Sequence, residues 1–281
     1  MTLQIHAIVM NVIVYLNDNT QLKNYWETDH LKELFPGNHV VLNRNQMYDN
    51  PHIVVNDPLN AMWYLKLYIN AKKPFKLIHL SDEFYTHDTS VYASPHCEKV
   101  YRNYWHPSHD TAKVVHFPLG YKMGMFDHID RSIGLQTPVD KRKYIWSFIG
   151  DPHKSNRLQL LYNIKDFVHH AYFTQGWMHP ASITATEMTQ ILHDTIFVPC
   201  ITGNASADTF RLYEAIECGC IPIVSDKNYF NGLFGVSPII FVDDWNNLKD
   251  CIQRLLDNDN LEQLRQDIIN WYREYKSRCV Q

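Results

Sequence analysis

The sequence predicts an α/β protein made of two Rossmann-like domains, each a parallel sheet covered by helices. Short apolar runs alternate with polar, helix-compatible stretches along the whole chain, the pattern of strand–helix–strand units. The 281 residues are long for one domain and comfortable for two of about 130 residues each. Apolar periodicity also lapses over 120–137, and Pro138-Val139-Asp140-Lys141-Arg142-Lys143 then reads as a linker. The expected division is 1–137, 138–260 and a long final helix at 261–281.

In the first domain, runs at 5–16, 40–42, 53–55, 76–80 and 113–117 read as strands and 61–69 as a helix. The run 5–16 contains His6 and Asn11, lacks a basic flank and is too short to cross a bilayer, so a first strand is expected there. In the second domain, strands are expected at 144–149, 168–173, 195–198, 221–224 and 239–242. Helices fit between them at 155–163, 185–194, 209–218 and 246–257. The last helix carries Leu261, Leu264, Ile268, Trp271 and Tyr275 on one stripe.

Apolar residues make up 45% of the chain and charged residues 20%, enough for a sizeable core and too much for disorder. A formal charge of −4 argues against a general nucleic-acid binder. The basic run Lys141-Arg142-Lys143 reads as solvated linker. The six cysteines read as reduced, buried thiols of a soluble cytoplasmic protein, since Cys218 and Cys220 stand too close for a zinc knuckle. The sixteen histidines lack companion ligands at standard spacing, and Asp257-Asn258-Asp259 falls between helical stretches rather than after a core strand. No metal and no membrane span are expected.

The most informative stretch is 197–224, FVPCITGNASADTFRLYEAIECGCIPIV: a buried strand, a polar turn, a helix, a glycine stop and a second buried strand. Such a turn presents unpaired backbone N–H groups at the positive end of a helix dipole, where a diphosphate fits. Asn204, Ser206, Asp208 and Thr209 crowd the turn. Arg211 lies one turn inside, placed to clamp phosphate oxygens, and Glu214 shares its face and suits ribose hydroxyls. Gly219 stands where a left-handed residue ends the helix. The pattern points to a nucleotide site, although an Arg and a Glu three apart also make ordinary surface pairs.

Ligands of facing α/β domains sit beyond the carboxyl ends of the strands. Four further clusters fall there. Gly150 allows close backbone approach after a strand, and Arg157 opens the following helix as a second positive clamp. In His79-Leu80-Ser81-Asp82-Glu83-Phe84-Tyr85, the adjacent carboxylates Asp82 and Glu83 are candidates for general base or acceptor-orienting residue; a helix N-cap at Ser81 or Asp82 is the alternative. Arg102 and Asn103, with Tyr85, are candidates for the acceptor or donor-sugar side. The stretch 117–121 reads as the turn leading toward the cleft.

The string Asp208-Thr209-Phe210-Arg211-Leu212-Tyr213-Glu214-Ala215, followed by Gly219-Cys220-Ile221-Pro222, resembles the signature of the exostosin-type glycosyltransferases. The match is specific over 197–224 and looser from about residue 79 onward. The chain further resembles the family's short, soluble β-xylosyltransferases of large algal viruses and its ribitol β-xylosyltransferase branch. The resemblance implies the two-domain GT-B fold, a tail helix crossing back to the first domain, and metal-independent, inverting transfer from a nucleotide sugar to a glycan or glycoprotein acceptor. It implies UDP-xylose as donor, with Arg211 serving the diphosphate and Glu214 the ribose. UDP-glucuronate, UDP-galactose and GDP-fucose stand as alternative donors, and a non-catalytic glycan- or nucleotide-binding module and a nucleotide-sugar epimerase as alternative functions. The usual Golgi membrane anchor of cellular members has no counterpart here, which favours the cytoplasm, a host's if the chain is viral.

Overall fold

The computed structural model describes residues 11–16, 26–42, 46–109, 111–129, 136–154, 156–176 and 181–280. Two wholly parallel sheets organise it. The first has six strands in the order β2 (Asn38–Val41), β1 (Val12–Tyr15), β3 (His52–Val55), β4 (Phe75–His79), β5 (Cys97–Arg102) and β6 (Val114–His116). The second has five, in the order β11 (Ile240–Phe241), β10 (Ile221–Val224), β9 (Thr195–Pro199), β7 (Tyr144–Gly150) and β8 (His169–Phe173). Central strands such as β3 and β9 are buried at every position, because helices on both faces leave no wet side and so demand continuous apolar runs.

Strand order reverses at β1/β3 in the first sheet and at β7/β9 in the second. These are the two places where loops diverge to opposite faces and open a crevice at the carboxyl ends. A cleft of about 460 Å³ lies there, lined by residues of both halves. The architecture is the GT-B fold.

The expected strands and helices are present with shifted ends, and residues 5–10 of the first expected strand lie outside the described residues. Among the described residues one strand and two α-helices are additional: β5, whose sequence CEKVYR carries little apolar signal, and the short helices α1 (Thr28–Leu34) and, later in the chain, Lys227–Phe234. The helix after β9 spans Phe210–Glu217 and buries Leu212, Tyr213, Ala215 and Ile216. It ends in a Schellman turn, with Gly219 N–H donating to Ile216 O and Cys220 N–H to Ala215 O, which needs the positive φ of 72° at Gly219.

The tail helix Leu261–Cys279 sets Tyr272 against Tyr213, and Trp271 and Tyr275 against Phe234. Its Lys276 ammonium bridges Glu33 of α1, at 2.8 Å, and Glu217. The expected solvated run 141–143 needs one correction. Lys141 is exposed, but Arg142 is buried and donates to the carbonyls of Thr137 (2.9 Å), Leu192 (3.2 Å), Thr195 (2.5 Å) and Cys218 (3.2 Å). A guanidinium surrounded by carbonyl ends is satisfied without solvent. All six cysteines are buried and free. Among the described residues no helix is long and apolar enough to cross a membrane.

Candidate functional site

The second-domain wall is built around the turn after β9. Gly203 N–H donates to Ser206 O at 3.1 Å, and this closure turns the next amides the same way. Asn204, Ala205 and Ser206 N–H all donate to one oxygen, Glu83 Oε1, at 2.8, 2.9 and 3.3 Å, while Asn204 Nδ2 reaches Oε2 at 3.2 Å. Successive amides converging on one oxygen form an anion-binding nest. The expected turn therefore does hold an anion, and that anion is a carboxylate from the opposite domain. Ser206 Oγ accepts from Asp208 N–H, and Thr209, extended in conformation, leads into the helix.

Arg211 is half-buried beneath this turn. Its Nη2 donates to Ile149 O at 3.0 Å, its guanidinium lies 4.2 Å from the centre of the Phe148 ring, and its Nε has no partner. Gly150 is what admits it: a Cβ there would stand 2.8 Å from Arg211 Nη2, and φ is +139°. Arg157 approaches the same ring at 5.9 Å and donates to Asp151 O, Ile201 O and Thr202 O, tying the loop after β7 to the loop after β9. Burial and the neighbouring Arg211 charge pull Arg157 down to about 10, so it stays charged near neutrality. Among the described residues neither has a carboxylate within ion-pair distance. Two like charges held together with carbonyl partners and no ion pair keep positive charge on the cleft wall.

Glu214 lines the cleft beside Arg211 and accepts Lys122 N–H from the first domain at 3.2 Å. Burial pushes its carboxyl up to about 7, against the pull of Arg211. Asp208 is buried with one oxygen unpartnered, and burial pushes it to about 7 as well.

The first-domain candidates divide. Glu83 reaches the cleft, but its oxygens are committed to the nest. Asp82 does not reach it: it is buried and ion-paired to Arg102 Nη2 at 2.7 Å, while its Oδ1 accepts Thr86 and His87 N–H. Burial raises the Asp82 carboxyl, but the Arg102 hydrogen bond and charge outweigh it and hold it below its ordinary value. Arg102 is likewise fully enclosed and also donates to His79 Nδ1 at 3.1 Å; His79 Nε2 then donates to His87 Nδ1 at 2.9 Å. His79, Asp82 and His87 are close enough together to suggest a metal site, yet the Arg102 guanidinium already supplies the positive charge among them. Asn103 holds Ser81 N–H, and Tyr85 OH donates to Trp105 O; neither lines the cleft. These residues brace a loop whose backbone is strained at Ser81 (φ 68°) and Tyr85 (φ 56°) and which presents Glu83 and the 60%-exposed ring of Phe84.

Trp26, Glu27 and Lys122 also line the cleft and were not singled out from sequence. Trp26 packs against Phe210, at 5.9 Å between ring centres, and the Lys122 ammonium sits over its indole. Glu27 heads α1 with an unremarkable sequence context; an acidic residue just before a helix is ordinary capping chemistry.

No family model matches the chain, and no curated protein is similar enough in sequence to count as a relative. Solved structures do match over nearly the whole chain. An α1,3-fucosyltransferase superposes with a TM-score of 0.55 at 11% identity, covering 97% of this chain and 91% of that one. Alr3699/HepE of Anabaena, in complex with UDP and glucose, gives 0.53 at 9% identity, covering 96% and 97%. The same protein in complex with UDP gives 0.51 at 10%, again covering 96% and 97%. At such identities the likeness establishes the fold alone: two facing parallel α/β sheets of GT-B type.

Proposed function

We propose that the chain is a glycosyltransferase that takes a sugar from a nucleoside-diphosphate donor and passes it to a hydroxyl of a glycan. The observation that carries this is the second-domain wall: an amide nest that holds the Glu83 carboxyl, beside the buried Arg157 and half-buried Arg211, neither with a carboxylate partner. The donor's diphosphate takes the nest and Arg211, Arg157 adds charge while bracing both loops, and Glu214 holds the ribose. As the sugar leaves, negative charge grows on the diphosphate, where these preorganised donors stabilise it most. Two anions do not share one nest, so the donor displaces the Glu83 carboxylate on arrival.

Asp82 and Arg102 serve as the rigid support of the Glu83–Phe84 loop, with Asn103 and Tyr85. Phe84 offers an exposed aromatic face to an acceptor sugar. The resemblance of 208–222 to the exostosin signature supports inverting chemistry and UDP-xylose as donor. With the leaving charge met by arginines and amides, the reaction needs no metal.

The decisive measurement is calorimetric titration with UDP. Wild type binds, and R211A loses affinity by at least about 100-fold, as expected for losing charge-assisted hydrogen bonds to a desolvated phosphate. Equal affinity in both proteins would remove Arg211, and the pocket with it, from the reading. A parallel panel of UDP-xylose, UDP-glucuronate, UDP-galactose and GDP-fucose, read by thermal protection, identifies the donor.

A further inference from the structure

An inverting displacement needs a proton acceptor on the face of the sugar opposite the leaving diphosphate. The carboxyl groups lining the cleft are Glu27, Glu83, Asp151, Asp208 and Glu214. Asp151, Asp208 and Glu214 stand on the second-domain wall with the phosphate donors, and Glu83 is engaged by four N–H groups. Glu27 differs from all of them. It comes from the first domain, is only 4% exposed, and among the described residues it makes no ion pair; the one N–H bonded to its carboxyl is that of its own backbone.

Its place in the fold is equally specific. Glu27 follows β1 and Asn56 follows β3, and both line the cleft at the point where strand order reverses in the first sheet. Its neighbour Trp26 packs on Phe210, the residue before Arg211, so Glu27 faces the diphosphate wall across the cleft. The backbone is pinned on both sides, with Met123 N–H donating to Trp26 O and Leu31 N–H to Glu27 O.

We infer that Glu27 is the catalytic base. On the glycosyl-transfer reading above, on which this rests, the acceptor oxygen attacks the anomeric carbon and its proton passes to the Glu27 carboxylate. The bond from that carbon to the diphosphate oxygen breaks, and its electron pair leaves with the nucleotide toward Arg211. Burial pushes the Glu27 carboxyl up to about 7, the range suited to a base working near neutrality.

The test reads nucleotide release from UDP-xylose, UDP-glucose, UDP-glucuronate, UDP-galactose and GDP-fucose supplied alone, with water as acceptor, alongside calorimetric UDP affinity. E27Q is expected to lower release by about 100-fold or more while keeping UDP affinity within about threefold. E27A with added formate regains part of the rate, whereas R211A with formate does not. An E27Q protein releasing nucleotide at close to the wild-type rate, or losing UDP affinity together with turnover, overturns the assignment. So does an E27A protein that formate fails to rescue. A wild-type chain that neither binds UDP nor releases nucleotide overturns glycosyl transfer itself, whereas an active wild type beside an active E27Q removes Glu27 alone.

Discussion

The two walls of the cleft treat buried charge in opposite ways. On the first-domain wall, Arg102 is neutralised by Asp82 at 2.7 Å, and His79 and Tyr92 accept further hydrogen bonds from it. That arginine is spent on rigidity. On the second-domain wall, Arg157 and Arg211 meet only carbonyl oxygens and an aromatic face. Their positive field is left for something that enters the cleft. A buried charge with its counter-ion beside it is weak grounds for function, because pairing explains it; a buried charge without one needs a ligand to explain it.

The sharpest way to break this contrast, after removing Arg211 itself, is to crowd it. In G150A the added methyl meets Arg211 Nη2 at 2.8 Å and the backbone must hold φ +139° with a side chain present. The guanidinium is pushed off its seat on Phe148, and UDP affinity is expected to fall by about 10–100-fold, the worth of one or two charge-assisted hydrogen bonds. Calorimetry checks this, and an unchanged dissociation constant would mean that Arg211 does not act from its observed position.

A smaller effect of opposite sign tests the nest. E83Q replaces a carboxylate that four N–H groups hold by a neutral amide, and charge-assisted bonds are about twice as strong as neutral ones. The internal competitor weakens, so UDP should bind E83Q about 3–10-fold more tightly than wild type. Affinity that stays level or drops would show that the phosphates do not enter the Asn204–Ser206 amides.

This asymmetry also governs what could be read in the sequence. The second-domain wall is nearly contiguous: nest, Arg211, Glu214 and the Gly219 stop fall within 197–224, and each has a local backbone reason. The first-domain wall is assembled from distant segments. Asp82 and Arg102 are brought together because β4 and β5 lie side by side, with His79 opposite Arg102, and nothing in either segment announces the partner. Two adjacent acids after a strand therefore read as candidates for a free base, whereas one is half of an ion pair and the other spans the cleft. Arg142 looks solvated in sequence for the same reason, since its carbonyl partners come from residues 137–218. Glu27 gave no signal because burial, not residue type or spacing, makes it chemically unusual.

Burial without a charged partner has a thermodynamic signature, and Glu27 should show it as a pH-dependent cost. Its carboxyl is raised from an ordinary 4.5 to about 7 in the folded chain, with Tyr104 the ionisable neighbour facing it. The folded state then holds a proton that the unfolded state releases. The associated stability is fully present below about pH 4.5 and is lost as pH rises through 7. Glutamine carries no such penalty. The melting temperature of E27Q relative to wild type should therefore rise between pH 4.5 and pH 8, by about 3–8 °C for on the order of 1–3 kcal/mol. Differential scanning calorimetry of the two proteins at both pH values measures it. A gap that does not change with pH would mean that Glu27 is solvated like a surface acid, and the contrast between a carboxyl held in reserve and one already paired would disappear from the first-domain wall.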